Sequence, residues 1–187
     1  VHKGRLHIAF AKDLGPQRVQ VMLQTLALDD PALTTGLPVK AARDTAGTVI
    51  GKMRPIGVPT GRNPEPSVAC TDQGCFVAWD DEKAALTAFV DHERGPLWHR
   101  QFGNKGARPA LGRNERGAAV AWFEGSRLKL APLTRDGVGK ASVVSRVSGL
   151  QPYPDVMPGK RPGEWYLAFR DYESAHLEVF ALRAECP

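Results

Sequence analysis

A chain of 187 residues of which 42% are hydrophobic is long enough to bury a core, which excludes a disordered tail. With 19 glycines and 15 prolines, turns should be frequent and long helices few; no apolar run reaches the roughly 18 residues that a membrane span requires. The formal charge of +5 permits an acidic partner without demanding one, because the arginines are dispersed among apolar and acidic residues rather than massed in a block.

A solvated basic surface is therefore expected, and nucleic acid is not an expected partner. The opening residues Val1-His2-Lys3-Gly4 lack the apolar stretch of a signal peptide. The expectation is that a leader has been removed or that the chain is a piece of something longer.

Taken in chain order, the sequence repeats itself. Residues 6–10 form an apolar run ending in Ala9-Phe10, with Asp13 soon after; residues 19–28 then alternate, and a weaker third run is expected at Val39 and residues 48–50. Prolines from Pro55 to Pro66 read as punctuation. The second unit has a short strand opened by Pro66, a turn, a run ending in Ala78-Trp79 with Asp81 behind it, an alternating run over residues 86–90 and a third over 97–102. A third unit repeats this order, with Pro109, then Ala121-Trp122 and Glu124, then runs at 128–133 and 141–144. The fourth has an opening strand at 153–157, a run ending in Ala168-Phe169 with Asp171, and an alternating run over 177–182.

Phe10, Trp79, Trp122 and Phe169 thus hold one position in each unit, and Pro66 and Pro109 both stand 13 residues before their tryptophan. Alternation with a period of two over five to ten residues argues for strands, and no ten-residue segment shows a capped helical period. A unit of roughly 45 residues holding four short strands is the size of one propeller blade. The expected fold is all-β: a β-propeller of about four blades, each a four-stranded antiparallel meander, with units at roughly 1–64, 65–107, 108–151 and 152–187. A β-sandwich competes, but it gives no reason for Ala-aromatic to recur at fixed spacing.

These motifs, Pro-x-Val-Ala, a turn, then apolar-Val-Ala-Trp-acidic, resemble the repeats of secreted bacterial β-propellers of the sialidase-like and Tol-associated type. Residues 29–63 fit the pattern worst. The resemblance implies the fold and export, to the periplasm, the cell surface or beyond; it implies little about activity, since such propellers include enzymes, lectins and scaffolds. In the first unit no strand is expected before residue 6, and in the last none after residue 182. The four units either close a ring or form an arc of a larger one completed by another polypeptide, and the second is the favoured expectation.

Cys70 and Cys75 flank the turn sequence Thr71-Asp72-Gln73-Gly74, where two strands of a hairpin would bring the sulfurs together. A hairpin disulfide leads, with two free thiols or a metal as alternatives, and Cys186 is left over. No histidine pair stands at ligand spacing, so neither a metal nor a cofactor is expected. Sialidase-type chemistry would need an arginine cluster and a tyrosine nucleophile; Arg54, Arg113, Arg170 and Tyr153 are available, but no spacing selects them. Asp81, Glu124 and Asp171 read as turn residues, and the four repeated aromatics as core between blades. Trp98 and Trp165 break the repeat and are the candidates for a ligand or partner surface.

The function expected from this pattern is that of a non-catalytic, exported scaffold subunit. A lectin-like propeller holding a glycan between blades is the alternative, and a glycoside hydrolase the third.

Overall fold

The computed structural model describes residues 4–28, 52–60, 64–81, 83–104, 108–146, 154–161, 163–170 and 177–183. Among these residues the protein is all β, with four antiparallel sheets that follow one another along the chain. Sheet I holds β1 (Arg5–Asp13), β2 (Val19–Ala27) and β3 (Lys52–Thr60), in that order. Sheet II is the meander β4 (Ser67–Cys70), β5 (Gly74–Asp80), β6 (Ala84–Asp91) and β7 (Gly95–Asn104).

Sheet III runs through β8 (Ala110–Asn114), β9 (Gly117–Glu124) and β10 (Arg127–Thr134). The outer place beside β10 is shared by β11 (Gly137–Val138) at one end and β12 (Ser142–Arg146) at the other. Sheet IV comprises β13 (Pro154–Pro158), β14 (Glu164–Arg170) and β15 (Leu177–Arg183).

The two middle sheets are buried on both faces, and the period of two in their strands decides which residue meets which neighbour. In β5, Val77 and Trp79 pack with Val21, Leu23 and Ile56 of sheet I, whereas Phe76 and Ala78 pack with sheet III. In β9, Ala118, Val120 and Trp122 turn toward sheet II, and Ala119, Ala121 and Phe123 toward Val156, Leu167 and Phe169 of sheet IV. Burial on both faces is the reason these strands read as unbroken apolar runs.

The recurrence of the aromatics has a structural cause. Trp79 of sheet II lies against Gly57 on β3 of sheet I, where an added Cβ would stand 2.9 Å from the indole. Trp122 of sheet III lies in the same way against Gly103 on β7 of sheet II, where a Cβ would approach to 3.0 Å. Each bulky side chain is thus matched to a glycine on the outer strand of the preceding sheet.

β3 departs from the sequence expectation. Residues 55–59, read as punctuation because of Pro55 and Pro59, are strand, paired through Met22↔Pro55 and Val21↔Ile56. A proline removes a ladder donor and is tolerated at the edge of a sheet, which is where β3 lies among the described residues. The run expected at Val39 and residues 48–50 lies outside the described residues.

Polar side chains close the turns. Asp13 accepts from the Gly15 N–H at 2.8 Å, Asp81 from those of Lys83 and Ala84 at 2.7 Å, and Asn114 from those of Arg116 and Gly117 at 2.9 and 3.1 Å. The carboxylate of Asp81 is therefore occupied by its own turn. Glu124 pairs instead with Lys129 across the β9–β10 hairpin. Asp171 lies outside the described residues.

The first strands of sheets III and IV approach closely at Gly112 of β8, where a Cβ would come within 2.5 Å of Val156 Cγ1 and 2.9 Å of its carbonyl oxygen on β13. The Gly112→Ala substitution should force these strands apart and cost about 1–3 kcal/mol as overpacking. Urea denaturation checks this: an unchanged midpoint would mean that the two strands are not held at this separation.

Candidate functional site

Cys70 ends β4 and Cys75 is the second residue of β5, directly opposite each other in the register, and they form a disulfide. The turn between them is closed by Thr71, whose N–H and hydroxyl both donate to the Gly74 carbonyl, at 2.8 and 3.2 Å. A disulfide in a hairpin fits an oxidising compartment. Cys186 lies outside the described residues.

Two histidines distant in sequence meet beside this bridge. His7, on β1, is buried, with Nδ1 3.0 Å from the Thr25 hydroxyl on β2. His92 follows β6 and is half-buried; its Nε2 lies 3.0 Å from the Thr71 carbonyl, so that nitrogen carries the proton and donates. The two rings stand 5.6 Å apart. One ring nitrogen from each and Cys75 Sγ lie within 4.8 Å of one another.

Hollows open on either side of the cluster. A cavity of about 220 Å³ lies where the first strands of the four sheets meet, lined by His7 of β1, Val68 and Cys70 of β4, Leu111 and Arg113 of β8, and Val156 of β13. Arg113 Nη1 donates to the Cys70 carbonyl at 3.0 Å, and the Leu111 N–H donates to Ser67 Oγ at 3.0 Å, so polar contacts join β8 to β4. A narrower cleft of about 80 Å³ lies between sheets I and II, with Arg5, Thr25, Arg54, Asp91 and His92 in its wall. There Arg54 donates to the carbonyls of Asp91 and His92 at 3.0 and 3.3 Å, tying β3 to the turn after β6.

Asp91 holds that turn. Its Oδ1 accepts from the N–H groups of Arg94 and Glu93 at 3.0 and 2.9 Å, and Arg135 approaches Oδ2 at 3.3 Å from sheet III. The two backbone donors lower its pKa below the ordinary 3.8; partial burial opposes this, and Arg135 adds to it. A carboxylate with a depressed folded-state pKa contributes stability above the unfolded value that is lost as pH falls through the folded one. The Asp91→Asn protein should therefore be less stable than the parent at neutral pH, and the two should converge in acid below 3.8. Denaturation midpoints across that range check the convergence.

The proposed surface aromatics are placed differently from expectation. Trp165 is 2% exposed and packs in the core between sheets III and IV, so it offers no surface to a ligand. It breaks the repeat because it occupies an additional core position on β14. Trp98 is half-buried on β7: it stacks on Phe89 with centroids 6.2 Å apart, carries the Arg100 guanidinium 5.6 Å from its own ring, and donates from Nε1 to the Arg135 carbonyl. That bond and stack make Trp98 a clasp between sheets II and III rather than an open platform. Trp79, Trp122 and Phe169 are each 1% exposed, and Phe10 is half-buried.

Of the residues considered for sialidase chemistry, Arg54 and Arg113 hold backbone carbonyls in separate hollows, while Tyr153 and the side chain of Arg170 lie outside the described residues. The cluster of His7, Cys75 and His92 was not anticipated. One local sign existed: an imidazole at a core-facing place in an apolar strand, between Leu6 and Ile8. A scan against models of known protein families finds no match for this chain, and no characterised protein matches it.

Proposed function

We propose that this protein is a non-catalytic, exported β-propeller subunit that acts as a rigid scaffold in a protein assembly. The observation that carries this reading is the repeated packing of four consecutive meander sheets. The first strands of the four sheets, β1, β4, β8 and β13, border one cavity, and Trp79 and Trp122 each meet a glycine of the sheet before their own. Successive blades around an axis have this relation. The disulfide supports export, and carbonyl-bound Arg54 and Arg113 support a structural use of the arginines.

In this reading the blades belong to a ring completed by another polypeptide, which pairs along β1 and β15. Native mass spectrometry of the protein isolated from its source should find it in stoichiometric complex with a second chain. A stable monomer, with no further polypeptide bound, would remove the scaffold reading.

One observation favours a second reading. Among the described residues the two hollows carry Arg5, Arg54 and Arg113 against one carboxylate, Asp91, a balance that suits an anionic group. A propeller lectin for anionic glycans would use such hollows. Retention on acidic but not neutral glycans, lost in Arg113→Ala, would move the assignment there.

A further inference from the structure

We propose that opening the Cys70–Cys75 disulfide converts the cluster of His7, Cys75 and His92 into a binding site for a thiophilic cation, Cu(I) or Zn(II). The proposal is independent of the scaffold reading, since it rests on three side chains and not on the shape of the ring.

Three donors of the right chemistry already converge. Thiolate and imidazole are the preferred ligands of both ions, and two histidines with one cysteine make a three-ligand site with an open position. In a tetrahedral zinc site neighbouring donor atoms stand roughly 3.5 Å apart. Here they lie within 4.8 Å, so closure asks for a movement of about 1 Å. Cys75 is held from making that movement by its bond to Cys70, and in the disulfide its sulfur has no thiolate charge to offer.

The supporting contacts are also those of a metal site. His92 donates Nε2–H to the Thr71 carbonyl, which places the lone pair of the neutral ring on Nδ1; the Thr25 hydroxyl holds His7 at Nδ1, and when that nitrogen donates to it the lone pair falls on Nε2. Thr71 lies within the disulfide turn itself, so the turn orients one ligand and supplies another. Arg5 and Arg54 line the adjoining cleft. A Cu(I)–thiolate pair is neutral and a Zn(II)–thiolate pair keeps one positive charge, so the guanidinium neighbours favour Cu(I) of the two.

The redox step requires a dithiol reductant. Its thiolate attacks Cys70 Sγ, the S–S bond breaks, and Cys75 leaves as thiolate. The reductant's second thiol then displaces Cys70 and closes its own disulfide. Two electrons pass from the dithiol to the protein pair, together with two protons, and the proton on Cys75 is released when the cation binds. In the oxidised protein the site is closed.

Two variants that lose the same crosslink separate the ligand role from the structural one. In a Cys186→Ser background, Cys70→Ser leaves the Cys75 thiol unpaired, while Cys75→Ser removes it. Titration with Cu(I) under anaerobic competition, and with Zn(II), should show one cation per chain bound by Cys70→Ser about 100-fold more tightly than by Cys75→Ser. Co(II) should give a thiolate charge-transfer band in the first protein only, and His7→Ala or His92→Ala added to it should abolish the band. The disulfide-bonded parent should bind only after reduction by a dithiol and its removal. Equal affinities in the two serine variants, or a Co(II) band indifferent to both histidines, would overturn the proposal.

Discussion

Replacing Trp79 or Trp122 by alanine should cost about 3–5 kcal/mol each, the range for truncating a fully buried aromatic. Both are 1% exposed, and each fills the space left by a glycine of the adjoining sheet, so neighbours have little freedom to collapse into the void. Trp122 also meets Phe102 edge-on at 4.9 Å, a contact that alanine deletes.

The phenylalanine variants test the cause. Both indole N–H groups are buried without a hydrogen-bond partner. Phenylalanine would keep most of the ring volume and remove that unsatisfied donor, a benefit of about 1–3 kcal/mol set against the smaller ring. Trp79→Phe and Trp122→Phe should therefore retain most of the stability that alanine loses, as read from the midpoint of guanidinium denaturation. A cost within about 0.5 kcal/mol for both alanine variants would place these rings at the surface.

Legibility in the sequence followed the range of the interactions. Ala78-Trp79 and Ala121-Trp122 stood out because each sheet repeats the same neighbours, and the hairpin disulfide because its partners are five residues apart. β3 was hidden by Pro55 and Pro59, whose usual meaning as breakers is suspended at a sheet edge. Trp165 misled for a related reason: departure from a repeat marked a position as special, while its burial depended on sheet III.

His7 and His92 could not be paired from spacing at all. They are 85 residues apart, on different sheets, and only the packing of sheet I on sheet II brings their rings to 5.6 Å. Local rules of alternation and turn chemistry reach as far as one sheet; the candidate site is made between sheets.

The contact between sheets III and IV offers the other large effect. Phe123 of β9 meets Phe169 of β14 edge-to-face with centroids 5.6 Å apart, and both are 1% exposed. Phe123→Ala and Phe169→Ala should each cost about 3–5 kcal/mol. Because one ring forms the wall for the other, the double variant should cost less than the sum, with a coupling of about 0.5–1.5 kcal/mol from the aromatic pair itself. The core that holds both rings is built from sheets III and IV, so the loss strikes the last interface first.

The shape of the transition then tells whether the four sheets fold as one body. In an array where each sheet contacts only its neighbours, weakening one interface lets the terminal sheet open before the rest. In a body whose sheets share one cavity through β1, β4, β8 and β13, β13 remains tied to β8 through the close approach of Gly112 and Val156, and the loss spreads over all four sheets. Hydrogen exchange of the Phe123→Ala protein distinguishes these. Protection should fall together in β5, β9 and β14. Loss confined to β14 and β15, with β5 unchanged, would mean that sheet IV is an independent leaf and that the shared cavity is not a common hub.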